Sequence, residues 1–445
     1  MAKLFGTDGI RGVAGEFPLD YSSVCVVGEA LVRLLHQEKM PPRVIIGRDT
    51  RESGRWLEQA LFQGIESNDG KAVSSGIIPT SAISYLAKNH GFSAGIVISA
   101  SHNPYHDNGI KIFSSDGIKI PEEWEERLEE IMRELARPIE PKTIQINPEP
   151  TLGQKYTEFL LGLFPENSRA RQTKIVLDCA NGASSAIAPF IYQMHGFDVI
   201  TINASPDGKN INAGCGSLHP EKLADRVLAD KADIGIAYDG DADRAIWCDE
   251  SGRILNGDHT LFVQCRFMMQ TGRLKSNQVV ATTMSNMGLE KALSELGLNL
   301  IRTKVGDRFV LEEMIRSGAN LGGEQSGHTI FLDDCPTGDG ILTSIKMIEA
   351  MTAKKTTLSG LVEDYRVYPQ VHVNVPVAKK EDFSLFPEIC EMREAIEKRL
   401  KNSGRFDLRY SGTEPLARIM VEGQNQEELE DLAQQMARVL SKHLG

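Results

Sequence analysis

The chain has 445 residues, a formal net charge of −12 and 41% hydrophobic residues. This is the composition of an ordinary globular protein of several domains, and the acidic charge argues against non-specific nucleic-acid binding. Its seven scattered cysteines form no disulfide framework, no run is long and apolar enough to span a bilayer, and no secretory signal opens the sequence. We therefore expect a cytoplasmic protein without nucleic-acid or membrane partners.

Helical and strand patterns alternate through the first block. The predicted helices and strands cover residues 24–35, 43–47, 56–65 and 94–99. Such alternation predicts a largely parallel sheet covered on both faces. An amphipathic helix beginning at Pro121 follows, and the proline-rich stretch 136–153 predicts a linker and a domain boundary.

Two more α/β blocks and a smaller α+β block complete the predicted order. The fold class is three similar α/β domains with mixed, mainly parallel sheets and a smaller C-terminal α+β domain, around a central cleft. The expected domain ranges are 1–150, 151–254, 255–366 and 367–445.

The strand at 94–99 leads directly into Ser99-Ala100-Ser101-His102-Asn103-Pro104. A serine hydroxyl on a loop at a strand end, beside an imidazole, suits a nucleophile or a phosphate carrier. A turn whose hydroxyl groups cap their own backbone is the alternative, and this stretch alone does not decide between them.

Three carboxylates follow another predicted strand, in Asp239-Gly240-Asp241-Ala242-Asp243-Arg244. In an extended segment alternate side chains point the same way, so the three carboxylates can converge as ligands for Mg²⁺. A calcium EF-hand loop is disfavoured because its sixth position, which requires glycine, is Arg244, and because a strand precedes it. A solvated acidic turn is disfavoured because crowded carboxylates repel one another.

Two further loops carry groups that bind anions or sugars. Arg409, Ser411, Gly412 and Thr413 are typical of an anion-binding nest, to which Arg418 adds charge; an ordinary turn is the alternative.

Glu324 and Ser326 alternate in a glycine-rich loop and suit adjacent sugar hydroxyls. His328 is a candidate proton shuttle or a structural histidine, and Lys111 is a candidate for proton transfer or a surface lysine.

Four motifs in this order resemble the α-D-phosphohexomutase family over essentially the whole chain: Ser-Ala-Ser-His-Asn-Pro, Asp-Gly-Asp-Ala-Asp-Arg, Gly-Glu-Gln-Ser-Gly-His and Arg-Tyr-Ser-Gly-Thr-Glu-Pro. The opening Phe-Gly-Thr-Asp-Gly-Ile-Arg-Gly, the Val-Gly-Asp-Arg segment and Gln325 look like the branch that acts on glucosamine phosphates.

The resemblance implies a role for each group of residues. Ser101 would carry the phosphoryl group, and Asp239, Asp241 and Asp243 would hold one Mg²⁺ together with that phosphate. Glu324 and Ser326 would bind the sugar. The non-reacting phosphate and the rest of the substrate would be bound by Arg409, Ser411, Gly412, Thr413, Arg244 and Arg418. Charge stabilisation and proton transfer would be provided by Arg11, Lys111 and His328.

The implied reaction interconverts glucosamine 6-phosphate and glucosamine 1-phosphate through a bound bisphosphate, and a sugar 1,6-bisphosphate would act as activator. Its product would supply amino-sugar nucleotide (UDP-GlcNAc) synthesis for a bacterial cell envelope. The alternatives are a mutase of mannose or glucose phosphates, an Mg²⁺-dependent sugar phosphatase, and a calcium- or sugar-phosphate-binding regulator. We expect the C-terminal block to move as a lid, and a homodimer is one option for the assembly.

Overall fold

The structure, a computed structural model, describes residues 3–6, 8–165, 173–411 and 415–445. The chain divides into two compact units, which are Met1–Thr282 with Thr303–Glu363, and Thr283–Arg302 with Asp364–Gly445. Within the described ranges, no helix is long and apolar enough to cross a membrane.

The described residues of the first block form six strands and four helices: β1 Phe5–Gly6, β2 Gly9–Val13, α1 Tyr21–Gln37, β3 Arg43–Arg48, α2 Gly54–Glu66, β4 Lys71–Ile77, α3 Thr80–Asn89, β5 Ala94–Ile98, β6 Asp107–Ser114 and α4 Glu122–Leu135. The strands form one sheet in the order β1-β2-β6-β5-β3-β4. Apolar side chains of α1, α2 and α4 join those of the sheet in one core.

Parallel pairing in this sheet is confined to β3, β4 and β5, whereas the expected sheet was largely parallel. Strands β5 and β6 pair antiparallel because the connection between Ile98 and Asp107 is too short for the crossover that parallel strands need. That short connection is the Ser101 loop.

The second block consists of α5 Pro150–Gly162, β7 Lys174–Asp178, α6 Ser184–Met194, β8 Asp198–Ile202, α7 Glu221–Asp230, β9 Ile234–Tyr238, β10 Ala245–Asp249 and β11 Ile254–Leu255. The sheet order is β11-β10-β9-β7-β8, with β7, β8 and β9 parallel. The predicted linker over 136–153 is too long at its C-terminal end, because α5 already begins at Pro150. Proline suits the first turn of a helix.

The third block comprises α8 Gly257–Gln270, β12 Gln278–Thr282, α9 Met287–Glu295, β13 Asn299–Thr303, α10 Asp307–Ser317, β14 Leu321–Gly323, β15 Thr329–Phe331, α11 Gly340–Lys354 and α12 Leu358–Leu361. Strand β12 pairs parallel with β14, which pairs antiparallel with β15. Helix α9 belongs to the second compact unit.

The C-terminal block contains β16 Gln370–Pro376, α13 Pro387–Leu400, β17 Arg405–Tyr410, β18 Leu416–Glu422 and α14 Gln426–Leu444. Its three strands form an antiparallel sheet in the order β16-β18-β17, and both helices share a core with it. The structure therefore confirms three α/β blocks with mixed sheets and a smaller α+β block.

Candidate functional site

Ser101 follows β5 and faces the aspartate loop after β9. Its Oγ donates a hydrogen bond to the Asp239 carboxylate at 2.6 Å, and only 1% of the residue is exposed. Ser101 has φ +51°, a left-handed conformation that residues other than glycine adopt infrequently. The structure thus brings together the two side chains on which the predicted phosphoryl carrier depends.

Arg51 holds the Ser101 loop through its backbone carbonyl groups. The buried guanidinium donates to the carbonyl oxygens of Ser101 at 3.0 Å and Asn103 at 2.8 Å. Arg51 also pairs at 2.8 Å with Asp49, which accepts a hydrogen bond from Ser99. Sequence reasoning missed this pair, although both residues follow β3, whose parallel neighbour β5 ends at the same sheet edge.

The three aspartates after β9 converge as predicted. Asp239, Asp241 and Asp243 are buried, and one carboxylate oxygen of each lies within 4.8 Å of the others. The predicted cause was wrong, because the segment is not extended. Ala242 has φ +58°, and its N–H donates to the Asp239 carbonyl at 3.1 Å, so a tight turn brings the carboxylates together.

Two oxygens of this cluster suit a cation. Oδ1 of Asp241 and Oδ1 of Asp243 are buried, and neither has a hydrogen-bond partner in the described part of the chain. Leaving such atoms unsatisfied is costly, and Mg²⁺ prefers oxygen ligands of this kind. The donor set therefore fits a divalent cation.

The aspartates differ in their electrostatics. Burial, together with the charges of Asp243 and Asp241, raises the pKa of Asp239 well above its usual range. Burial would also raise the pKa of Asp241, but the Lys111 ammonium at 2.9 Å outweighs it and lowers that pKa. A bound cation would relieve the repulsion that acts on Asp239.

Lys111 is a buried cation beside the aspartates. Its Nζ lies 2.9 Å from Asp241 and 3.2 Å from Asp8. Burial would lower the pKa of Lys111, but the surrounding carboxylates raise it above its ordinary value, so the side chain stays an ammonium. Arg11 pairs with Asp8 and donates to the carbonyl of Ala100 at 3.4 Å, which places it at the Ser101 loop.

Asp8 connects this centre to an ion pair that sequence reasoning missed. Lys119 pairs with Asp8 on one side and with Asp307, at 2.5 Å, on the other. Asp307 in turn lies 3.8 Å from Nε2 of His328. A series of alternating charges therefore extends from Lys111 to Asp307, which lies beside His328. Lys119 is separated along the chain from Asp8 by 111 positions and from Asp307 by 188 positions, so no local sequence pattern reveals these contacts.

Arg244 and His328 lie beside the aspartates. Their backbones form an isolated antiparallel bridge, and Nε of Arg244 is 3.8 Å from the Asp243 carboxylate. Both residues are largely withdrawn from solvent. The structure thus joins the third block to the metal-ligand candidates through these two residues.

The two predicted sugar-binding residues have different environments. Glu324 is buried, and its carboxylate accepts a hydrogen bond from the Gly306 N–H at 3.1 Å. Ser326, two residues further on, is exposed. Part of the Glu324 hydrogen-bonding capacity is therefore already used within the protein.

The predicted anion nest lies in the second compact unit. Arg409 and Arg418 are directly opposite each other on β17 and β18. Ser411 is buried at 3% exposure. Gly412 and Thr413 lie outside the described residues, so the nest is seen only in part.

Comparison with known families covers nearly the whole chain. The phosphoglucomutase/phosphomannomutase domain families match in chain order: α/β/α domain I over residues 2–138, domain II over 154–252, domain III over 256–368 and the C-terminal domain over 373–439. A protein named phosphoglucosamine mutase from Solibacter usitatus is 44% identical over 449 residues, covering 100% of each chain.

Solved structures share the fold. A phosphoglucomutase/phosphomannomutase family protein from Burkholderia thailandensis aligns with TM-score 0.81 and 23% identity, covering 99% of this chain and 97% of that one. The N-acetylphosphoglucosamine mutase of Aspergillus fumigatus, solved with GlcNAc-6P and magnesium, aligns with TM-score 0.68 and 19% identity, covering 99% and 95%.

Proposed function

This chain belongs to the phosphoglucomutase/phosphomannomutase family, and we propose that within it the chain interconverts glucosamine 6-phosphate and glucosamine 1-phosphate. The choice of substrate is supported by the full-length identity of 44% to a phosphoglucosamine mutase. The chemistry is supported by one observation above all, the 2.6 Å hydrogen bond between Ser101 Oγ and the buried aspartate cluster.

The proposed reaction passes a phosphoryl group through Ser101. The free hydroxyl of glucosamine 6-phosphate attacks the phosphorus of phosphoserine 101, the bond to Ser101 Oγ breaks, and a bound sugar bisphosphate results. The sugar then turns over, and Ser101 Oγ attacks its other phosphate, releasing glucosamine 1-phosphate. The hydroxyl proton lost in the first half returns in the second, so the cycle balances, and positioning with charge stabilisation supplies most of the rate.

Cationic side chains would offset the charge of the transferring group. Lys111 is buried beside Asp241, Arg244 lies beside Asp243, and Arg11 reaches the Ser101 loop. A low-dielectric site strengthens such interactions, and the exclusion of water also protects phosphoserine from hydrolysis.

Substrate binding is assigned to two groups of residues. We propose that Glu324 and Ser326 bind the sugar, and that the phosphate not being transferred is bound by Arg409, Ser411, Gly412, Thr413 and Arg418. Arginine suits the second task because its guanidinium forms two parallel hydrogen bonds to a phosphate.

Asp239, Asp241 and Asp243 would hold Mg²⁺, because two of their buried oxygens lack a hydrogen-bond partner in the described residues. The ion would neutralise charge on the transferring phosphoryl oxygens. A sugar 1,6-bisphosphate is the proposed activator, since it can phosphorylate Ser101 without any other donor.

The substrate assignment is tested by comparing turnover of glucosamine, glucose and mannose 6-phosphates, with Mg²⁺ and a sugar 1,6-bisphosphate present. We expect the highest kcat/KM for glucosamine 6-phosphate and nearly complete loss with Ser101→Ala. Preference for mannose or glucose phosphate would identify a sister mutase. Release of inorganic phosphate without isomerised sugar would identify a phosphatase, and an unchanged sugar would indicate a binding protein.

We also propose a cytoplasmic location. All seven cysteines are free and six of them are buried, as expected in a reducing compartment.

A further inference from the structure

We propose that Gly338 fixes His328 as the neutral tautomer with its proton on Nδ1. In this state His328 donates a hydrogen bond to an oxygen of the bound sugar phosphate and does not accept a proton from it. Gly338 is then a positioning residue. The inference rests on the proposed function, because the ligand is the sugar phosphate of that site.

The first observation is the partner of Nε2. The backbone N–H of Gly338 points at Nε2 of His328, with 3.2 Å between the two nitrogens. A backbone N–H can only donate, so Nε2 must offer its lone pair. In a neutral imidazole the other nitrogen then carries the proton, and this fixes Nδ1–H without reference to any titration.

The second observation is that Nδ1 is unsatisfied. His328 is 2% exposed, and Nδ1 is buried with no hydrogen-bond partner among the residues that the structure describes. Buried donors in folded proteins almost always have a partner, and an exception calls for an explanation. An oxygen acceptor on a bound ligand supplies one.

The third observation is where the backbone of His328 lies. His328 forms a backbone bridge with Arg244, the residue directly after Asp243, and the N–H of Ala245 donates to the Gly327 carbonyl at 3.2 Å. The backbone of His328 is therefore joined to the end of the aspartate loop, beside the groups proposed to handle the transferring phosphate.

Asp307 offers the competing arrangement. Its carboxylate lies 3.8 Å from Nε2, beyond hydrogen-bond distance, and would favour a proton there. A proton on Nε2 would face the N–H of Gly338, and that hydrogen bond would be lost. The shorter contact therefore decides the tautomer in favour of Nδ1–H.

The glycine is required for this arrangement. A Cβ at position 338 would lie 2.3 Å from Nε2 of His328, so any larger residue displaces the ring. Neutral His328 also has no free lone pair on the ligand side, because its lone pair faces Gly338. The group that accepts the substrate hydroxyl proton is consequently not His328.

The tautomer can be measured directly by ¹⁵N NMR of the imidazole nitrogens in ¹⁵N-histidine-labelled protein. The chain has ten histidines, and the signals of His328 are those missing from His328→Asn. Spectra are recorded with and without glucosamine 6-phosphate. We expect one protonated nitrogen, Nδ1, and one unprotonated nitrogen, Nε2. A proton on Nε2, alone or together with Nδ1, would overturn the assignment.

A matched pair of substitutions tests the donor role. The amide nitrogen of asparagine takes the place of Nδ1, and that of glutamine takes the place of Nε2. We expect His328→Asn to retain at least about tenfold more kcat than His328→Gln. Equal loss in variants with parental melting curves would refute the donor role.

Gly338→Ala should shift the His328 nitrogen signals and lower kcat more than it changes KM. Gly153→Ala is its control, since a Cβ at that helical position meets nothing within 4 Å. If Gly338→Ala left the His328 signals unchanged, the positioning role would be wrong. If the parent isomerised no sugar phosphate, the proposed function would fail, while the NMR result would still decide the tautomer.

Discussion

Replacing Lys111 by methionine removes the ammonium that lies between the buried Asp241 and the partly buried Asp8. The lysine is 1% exposed, and its Nζ lies 3.2 Å and 2.9 Å from the two carboxylates. Removing one partner of a buried ion pair costs about 3–5 kcal/mol. For a unit as large as Met1–Thr282 with Thr303–Glu363, an unfolding entropy of about 2.1 cal/mol/K per residue gives about 1–1.5 °C per kcal/mol, so the melting temperature should fall by about 3–8 °C.

The assay is thermal unfolding followed by circular dichroism at neutral pH with EDTA present, so that no metal replaces the missing cation. Lys275→Met is the matched control, because Lys275 pairs with Asp333 at the surface and the two side chains are 63% and 44% exposed. Such a pair contributes about 0–1 kcal/mol. If Lys111→Met melted within about 2 °C of the control, the reasoning about the buried charges would be refuted.

The effect should depend on pH in a defined direction. In the parent, the lowered pKa of Asp241 gives stability that is present above the unfolded-state pKa and lost on acidification. The raised pKa of Lys111 gives stability that is present at neutral pH and lost only at strongly alkaline pH. In Lys111→Met the carboxylate of Asp241 has lost its ammonium partner and can take up a proton, so the deficit should be larger at pH 8 than at pH 5. A deficit that grows on acidification would contradict this account.

Substitutions at three other positions probe the remaining contacts. Gly240→Ala would place a Cβ 2.6 Å from the Ser101 carbonyl oxygen, and steady-state assays should show turnover reduced by about 100-fold. Lys119→Met should lower kcat because it breaks the contacts to Asp8 and Asp307, and Lys119→Arg should restore part of it; no difference between them would count against the charge series. Arg409→Met should raise KM for sugar phosphates more than it lowers kcat; an unchanged KM would count against phosphate binding there.

The sequence was informative where function follows local order along the chain. Apolar runs such as the one preceding Ser101 predict buried strands, and polar residues directly after them predict loops at one sheet edge. The structure contains the predicted strand before Ser101 and the predicted strand before Asp239. It also joins the two residues by a hydrogen bond, as the proposed chemistry requires.

The sequence was less informative where backbone conformation or distant pairing decides the geometry. The convergence of the aspartates depends on a left-handed Ala242, which no alternation rule predicts. The contacts of Lys119 with Asp8 and Asp307 form only after three distant segments have packed together. Likewise, the restraint on His328 comes from a glycine ten residues away, and an isolated glycine gives no signal of what it contacts.

The phosphoryl carrier is tested most directly by intact mass spectrometry before and after incubation with Mg²⁺ and a sugar 1,6-bisphosphate, followed by fragmentation to locate the modified residue. The account predicts a gain of one phosphoryl group on Ser101, its loss on addition of excess glucosamine 6-phosphate in EDTA-free buffer, and no gain in Ser101→Ala. A phosphoryl group found on another residue, or isomerisation at the parental rate by Ser101→Ala, would contradict it.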